Sequence, residues 1–327
     1  MVVVEYAPDR YLATLMIIFY DPCCLEYSKP GHPERPERIA RTAPFLKDRH
    51  AEWKWQRPRA ATDNELLRAH SHQHIERLTS AHEDFDLDTP FYPNIEMYAR
   101  QSAGGAIEAA RAALHGESAF SLMRPPGHHA TRDRAMGFCY FSNIAIAALD
   151  ALAVVGIADS GQPGSPRPAT GKVERISMWD FDGHHGNGTE AIMVNNERIR
   201  FASIHQFPAY PGTGAKSFAK IANYPIAPYT PREQILEIAR LSLDKLIAFE
   251  PDLLLVSAGF DAYARDPLLQ LTLEREDFAI LGGWLSKIDT PIAVALEGGY
   301  SSELPELIDA FLAAWQAYGH SVHGSNG

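Results

Sequence analysis

Asp180, Asp182 and His184 stand two residues apart in the run DFDGHHGNG. In an extended segment that spacing puts their side chains on one face, while Trp179 and Phe181 turn the other way. A carboxylate and an imidazole at i and i+2 can grip one metal ion together. A catalytic zinc usually takes three protein ligands and keeps one position open. Asp261, in SAGFDA directly after an apolar run, is the natural third, because packing explains an acid there poorly. Asp180 is then free to steady a histidine from behind. Paired imidazoles occur at His128 and His129, after two prolines and a glycine in RPPGHHA. One can activate water while the other is held charged or neutral by a carboxylate. Tyr300 follows Gly298 and Gly299 in EGGY. A phenol placed there can donate to an oxygen that gains negative charge. This set of groups suits metal-assisted hydrolysis at a carbonyl carbon.

The elements that must position these groups are legible as apolar runs alternating with amphipathic stretches. Strands are expected at 14–20, 119–123, 175–179, 199–205, 252–258 and 291–297. Helices are expected at 98–114, which has a small-residue face, and at 142–155, 231–249, 273–288 and 303–318. The strands are almost wholly apolar, as strands covered on both faces are. The expected fold is a single α/β domain over 1–327: a mainly parallel sheet with helices on both faces. The candidate groups each follow a strand, and sites in such sheets form beyond the carboxyl ends of the strands. The Gly-, Pro- and Ser-rich stretch 156–171 is expected to be a flexible internal loop.

The formal charge of -11 argues against a nucleic-acid partner. The run 12–20 is too short to span a bilayer, so no membrane association is expected. Three cysteines, two of them adjacent, make no disulfide framework and suit a reducing, cytoplasmic setting. A homo-oligomer is allowed but not specified. Among the other histidines, His70, His72 and His74 read as surface or loop residues, with 70 and 74 close enough on a helix to pair. His32 reads as an entrance-loop residue, His185 and His205 as packed ones, and His320 and His323 as part of a polar tail.

HPERPERI (32–39), RPPGHHA (124–130), GFCYFSNIAI (137–146), DFDGHHGNGT (180–189), YPGTG (210–214), SAGFDA (257–262) and EGGY (297–300) together resemble the histone deacetylase family, of the arginase–deacetylase fold. They extend over most of the chain in the family's order, and the HPERP and HHGNG forms look closest to class II and bacterial members. The resemblance implies a central sheet of about eight strands and one zinc on Asp182, His184 and Asp261, with iron(II) as an alternative ion. It also implies a potassium ion near Asp180, Asp182, His184 and Ser203. His129 becomes the general base and acid, backed by Asn187 as in class II. His128 becomes the electrostatic partner backed by Asp180, and Tyr300 the transition-state donor. A channel walled by Gly137, Phe138, Tyr210 and Leu268, with Asp88 at its rim, would admit an acylated lysine or a small acylated amine.

Two departures bear on substrate. Tyr210 stands where the family usually has Phe. Leu268 lacks the Glu that some polyamine-specific relatives carry, although the acidic run 82–88 could serve a cation instead. A dinuclear, arginase-like site would need further bridging aspartates that AGFDA and HHGNG do not offer. A non-enzymatic module would be expected to have lost a ligand or the tyrosine.

Overall fold

Residues 15–153 and 172–316 are described by the computed structural model. The expected loop 156–171 and the histidines at 320 and 323 lie outside them. The elements run β1 (Ile17–Phe19), α1 (Glu37–Arg49), β2 (Lys54–Gln56), α2 (Asp63–Ala69), α3 (His72–Thr79), α4 (Ile95–Leu114), β3 (Ala119–Ser121), α5 (Asn143–Ala153), β4 (Ile176–Asp180), α6 (Asn187–Met193), β5 (Ile199–Gln206), β6 (Ile221–Ile226), α7 (Arg232–Ile247), β7 (Leu253–Ala258), α8 (Arg275–Leu285), β8 (Ile292–Leu296) and α9 (Leu304–Gln316). The eight strands form one sheet in the order β2-β1-β3-β8-β7-β4-β5-β6. Every pairing between them is parallel.

The apolar strands divide their side chains between two cores, one on each face. Ile17 and Phe19, Leu253 and Leu255, and Ala293 and Ala295 join α4 and α5. Ile18, Leu254, Val256, Ile292 and Val294 join α1, α7, α8 and α9. That is the period of two expected of a strand, with both faces covered instead of one. Each fully buried Leu, Val or Ile contributes about 1.5–3 kcal/mol relative to exposure. The small-residue face of α4 lets it lie very close to its neighbours. A Cβ on Gly104 would fall 1.8 Å from the Arg59 carbonyl oxygen, and one on Gly105 would fall 2.5 Å from Ser121 Oγ.

Two strands and several helices go beyond the sequence reading. β2 (KWQ) and β6 (IANYPI) are the edges of the sheet, polar on one side, and β6 carries Pro225. Their apolar signal is weak because β2 has no buried residue and β6 is only partly buried. The reading of His70 and His74 as surface or loop residues is corrected here: both are essentially unexposed. His70 Nε2 accepts the Ser142 N–H at 2.9 Å, and His74 Nε2 donates to the Tyr140 carbonyl at 2.8 Å. Their rings stack at 4.9 Å, and burial holds both imidazoles below their usual range. His72 is largely exposed, as expected.

The turn that carries the histidine pair is anchored by a buried ion cluster. The Arg124 guanidinium makes two bonds to the Glu34 carboxylate, one of them 2.8 Å long, and lies 4.2 Å over the Tyr27 ring. Arg38 reaches the same carboxylate at 3.2 Å. Glu34 is held below the ordinary carboxylate range: burial alone would raise it, but Arg124 and Arg38 outweigh that. Arg124→Met removes one partner of a fully desolvated pair. It is expected to destabilise the fold by about 3 kcal/mol, read by denaturant unfolding.

Candidate metal centre and active site

Three neighbouring central strands, β8, β7 and β4, point their carboxyl ends at one place. Asp180 closes β4, Asp182 and His184 follow it, Asp261 follows β7, and Glu297 to Tyr300 follow β8. One ligand atom each from Asp182, His184 and Asp261 lies within 4.8 Å of the others. His184 Nδ1 is 2.7 Å from Asp261 Oδ2 and 3.3 Å from Asp182 Oδ1. Tetrahedral donors on a zinc ion at bond lengths of ~2.0 Å stand ~3.3 Å apart, so the trio fits a divalent ion.

Backbone amides aim the carboxylates. Gly183 N–H donates to Asp261 Oδ1 at 2.7 Å, Gly298 N–H to Asp182 Oδ2 at 2.7 Å, and His184 N–H to Asp182 Oδ1 at 2.8 Å. The surrounding glycines leave room for this. A Cβ on Gly259 would sit 2.1 Å from Asp182 Oδ2, and one on Gly298 would sit 2.4 Å from Asp261 Oδ2.

The electrostatics favour a cation. Asp182 and Asp261 are both fully buried, and burial together with the neighbouring Asp182 charge raises Asp261. Burial would lower the His184 imidazole, but Asp261 and Asp182 hold it up at about 10. Two desolvated carboxylates around one imidazole are the donor set for a hard or borderline divalent ion.

The histidine pair lies beside the trio with its rings 4.0 Å apart. His128 Nδ1 bonds Asp180 Oδ2 at 3.0 Å, and His129 Nδ1 bonds Asn187 Oδ1 at 2.8 Å. The different supports separate the two. Burial opposes charge on His128, yet Asp182 and Asp180 raise it well above its ordinary value. Burial, then the charges of His128 and His184, hold His129 well below. His129 is thus the neutral imidazole, with Nδ1–H donated to Asn187 and Nε2 left as the acceptor. The first turn of α6 secures this arrangement, because Gly188 and Thr189 both donate their N–H to the His128 carbonyl, at 3.0 and 3.1 Å.

Tyr300 is held from both sides. Asp266 Oδ2 accepts its N–H at 2.7 Å, and the Arg38 guanidinium lies 4.8 Å over its ring. Arg38 Nε also donates to the Gly299 carbonyl at 2.7 Å. Leu268 N–H bonds the other oxygen of Asp266 at 3.0 Å, so one carboxylate ties the backbones of Leu268 and Tyr300. Phe138 meets the Tyr300 ring edge-on at 5.8 Å, and Tyr210 meets His129 edge-on at 5.2 Å. Asp88 is exposed, with its carbonyl 3.3 Å from His32 Nε2. Ser203 pairs with Asp180 across β4 and β5, and its hydroxyl bonds His205 Nδ1 at 3.0 Å. His185 is buried against Thr213, Glu190 and Asn223.

Gly137 is wedged between two of these rings. Its φ is +58°, and an added Cβ would stand 2.5 Å from His129 Cδ2 and 2.9 Å from Tyr210 Cε1. If His129 takes part in catalysis, Gly137→Ala is expected to lower kcat/KM by about 100-fold, since a displacement of ~1 Å at a reacting group is that costly. Comparison of kcat/KM and thermal unfolding for the two proteins checks it.

Sequence reasoning missed several supporting groups. Glu297 accepts the Gly127 and His128 N–H groups at 2.7 and 3.1 Å. Burial raises its carboxyl to about 7. An acid directly after an all-apolar strand, as with Asp261, was the available signal. Asp266 and Arg38 left no such trace, because the groups they hold at the site, Tyr300 N–H and the Gly299 carbonyl, are remote in sequence.

A family model described as the histone deacetylase domain matches residues 32–315. An uncharacterized protein of Synechocystis sp. is 38% identical over 293 residues, which is 85% of this chain and 90% of that one. A probable deacetylase of Methanothermobacter thermautotrophicus is 34% identical over 306 residues, 88% of this chain and 86% of that one. Among solved structures, the HDA15 HD domain is similar with a TM-score of 0.80 and 26% identity, covering 93% of this chain and 90% of that one. The parallel sheet, the buried Asp–His–Asp cluster at its carboxyl edge and the matching sequence lead to one conclusion: the chain belongs to the histone deacetylase family.

Proposed function

We propose that the protein hydrolyses the amide of an acylated amine, with an acetylated lysine side chain as the leading substrate class. The observation that carries this reading is the pair of neighbouring imidazoles with unlike supports, set against the Asp182–His184–Asp261 cluster. A divalent ion on those three residues would supply Lewis acidity toward the acyl oxygen and toward water. Zinc suits the set, and iron(II) is its alternative. Potassium would be held near Asp180, Asp182, His184 and Ser203.

Neutral His129 takes a proton at Nε2 from the attacking water as the new C–O bond forms. Charged His128, paired with Asp180, offsets negative charge as it develops. The Tyr300 hydroxyl donates to the acyl oxygen. His129 then passes its proton to the amine nitrogen as the C–N bond breaks, leaving a carboxylic acid and a free amine. Gly137, Phe138, Tyr210 and Leu268 wall an entry suited to a linear aliphatic chain, with Asp88 at its mouth.

A second reading, selectivity for acetylated polyamines, is favoured by the Tyr210 hydroxyl, which is buried without a hydrogen-bond partner among the described residues. Asp86 and Asp88 are close enough to help burial raise that phenol. A second ammonium on the substrate would answer both features. The test is hydrolysis of an acetyl-lysine peptide, acetylputrescine and acetylspermidine by protein of measured metal content. Turnover of the peptide at one metal per chain is expected. Preference for the polyamines would favour the second reading, and no hydrolysis at full metal loading would overturn both.

A further inference from the structure

We propose that Thr89 is a positioning residue for the substrate channel, its hydroxyl and the His32 ring together setting the Phe138 wall relative to the Asp88 rim. The inference rests on the deacylase reading above. Phe138 has φ +68°, a left-handed backbone that a bulky side chain rarely adopts. Its N–H donates to Thr89 Oγ1 at 3.2 Å, and Thr89 is completely buried.

The segment around Thr89 is tied down at every step. The Thr89 carbonyl accepts Phe85 N–H at 2.9 Å, which closes the loop that carries the acidic rim. The next carbonyl, of Pro90, accepts the Tyr140 hydroxyl, two residues beyond Phe138. The rim segment 88–90 and the wall segment 137–140 are therefore laced into one unit.

His32 braces the same unit from outside. Its Nδ1 lies 3.1 Å from the Glu34 amide nitrogen and 3.0 Å from the Glu34 carbonyl oxygen, and its Nε2 lies 3.3 Å from the Asp88 carbonyl oxygen, which can only accept. Its ring meets Phe138 edge-on at 4.7 Å, and Tyr300 meets the same ring edge-on at 5.8 Å. Phe138 thus packs against both His32 and Tyr300, with its backbone pinned by Thr89. Removing the Thr89 hydroxyl leaves the Phe138 N–H without its partner and frees the wall to shift. The linker of the substrate should feel that change, while the groups around the acyl carbon stay in place.

The experiment compares wild type, Thr89→Val, Thr89→Ser and His32→Phe, all metal-loaded. The substrates are an acetyl-lysine peptide and its analogue with a methyl branch on the carbon next to the amide nitrogen. Wild type is expected to favour the linear substrate. Thr89→Val should raise KM for the linear substrate about tenfold, the size of one lost hydrogen bond, with kcat changed less than about twofold. It should also narrow the preference over the branched analogue, and Thr89→Ser should restore both. His32→Phe keeps a ring against Phe138 but loses the Asp88 bond. It should shift KM in the same direction, so the outcome does not depend on the Thr89 variants folding. Unchanged KM and unchanged preference in Thr89→Val or in His32→Phe overturns the proposal, as does failure of Thr89→Ser to restore either. Wild type that hydrolyses neither substrate would instead remove the deacylase reading on which the proposal stands.

Discussion

Asp261→Asn is expected to leave a folded protein that no longer retains stoichiometric zinc and has lost on the order of 1,000-fold or more in kcat/KM. The asparagine oxygen can still accept the Gly183 N–H that Asp261 Oδ1 now takes at 2.7 Å, so the local backbone keeps its bond. What disappears is one of two buried negative charges that face His184 Nδ1. A neutral amide is a much poorer partner for a divalent ion in a desolvated site. The loss of Lewis acidity is worth several kcal/mol in the barrier, hence the size of the effect. Elemental analysis after dialysis, read beside kcat/KM and thermal unfolding, separates metal loss from unfolding. Full metal content with near-normal turnover would remove Asp261 from the proposed ligand set.

Tyr300→Phe should behave differently. The ring remains between Phe138 and the Arg38 guanidinium, and Asp266 still holds the backbone N–H. Only the hydroxyl is lost, and no metal ligand is touched. Removing one donor to a developing oxyanion costs about 3–4 kcal/mol, or roughly 10²–10³-fold in kcat. KM and zinc content should stay close to wild type, because the donor acts in the transition state more than in the bound substrate. Single-turnover kinetics with metal analysis would show this. A change confined to KM would place the hydroxyl in substrate binding instead.

Much of this geometry was legible in the sequence because the chemistry sits in short segments directly after strands. DFDGHHGNG places Asp182 and His184 by local spacing alone, and Asn187 enters the first turn of α6 where it can reach His129. The buried pair His70 and His74 went the other way. A histidine bonded to a backbone carbonyl or amide inside a core looks, in a polar stretch such as HSHQH, like one on the surface. The edge strands β2 and β6 were also missed, since strands half open to solvent lack the continuous apolar run that marked β7 and β8.

The sequence by itself determined the class of the fold and the types of group at the site. Apolar strands separated by amphipathic helices can bury both faces only as a covered parallel sheet. Which strands become neighbours was decided by tertiary structure. β8, β7 and β4 lie side by side although 72 positions separate the end of β4 from the start of β7. Only that order lets Gly183 bond Asp261 and Gly298 bond Asp182. Periodicity and solvent contact act over a few residues, whereas strand order is set by packing between segments distant in the chain. The same holds for the supports of the site. Thr89, His32, Arg38 and Asp266 reach Phe138, Asp88, Gly299 and Tyr300 only when segments distant in the chain meet.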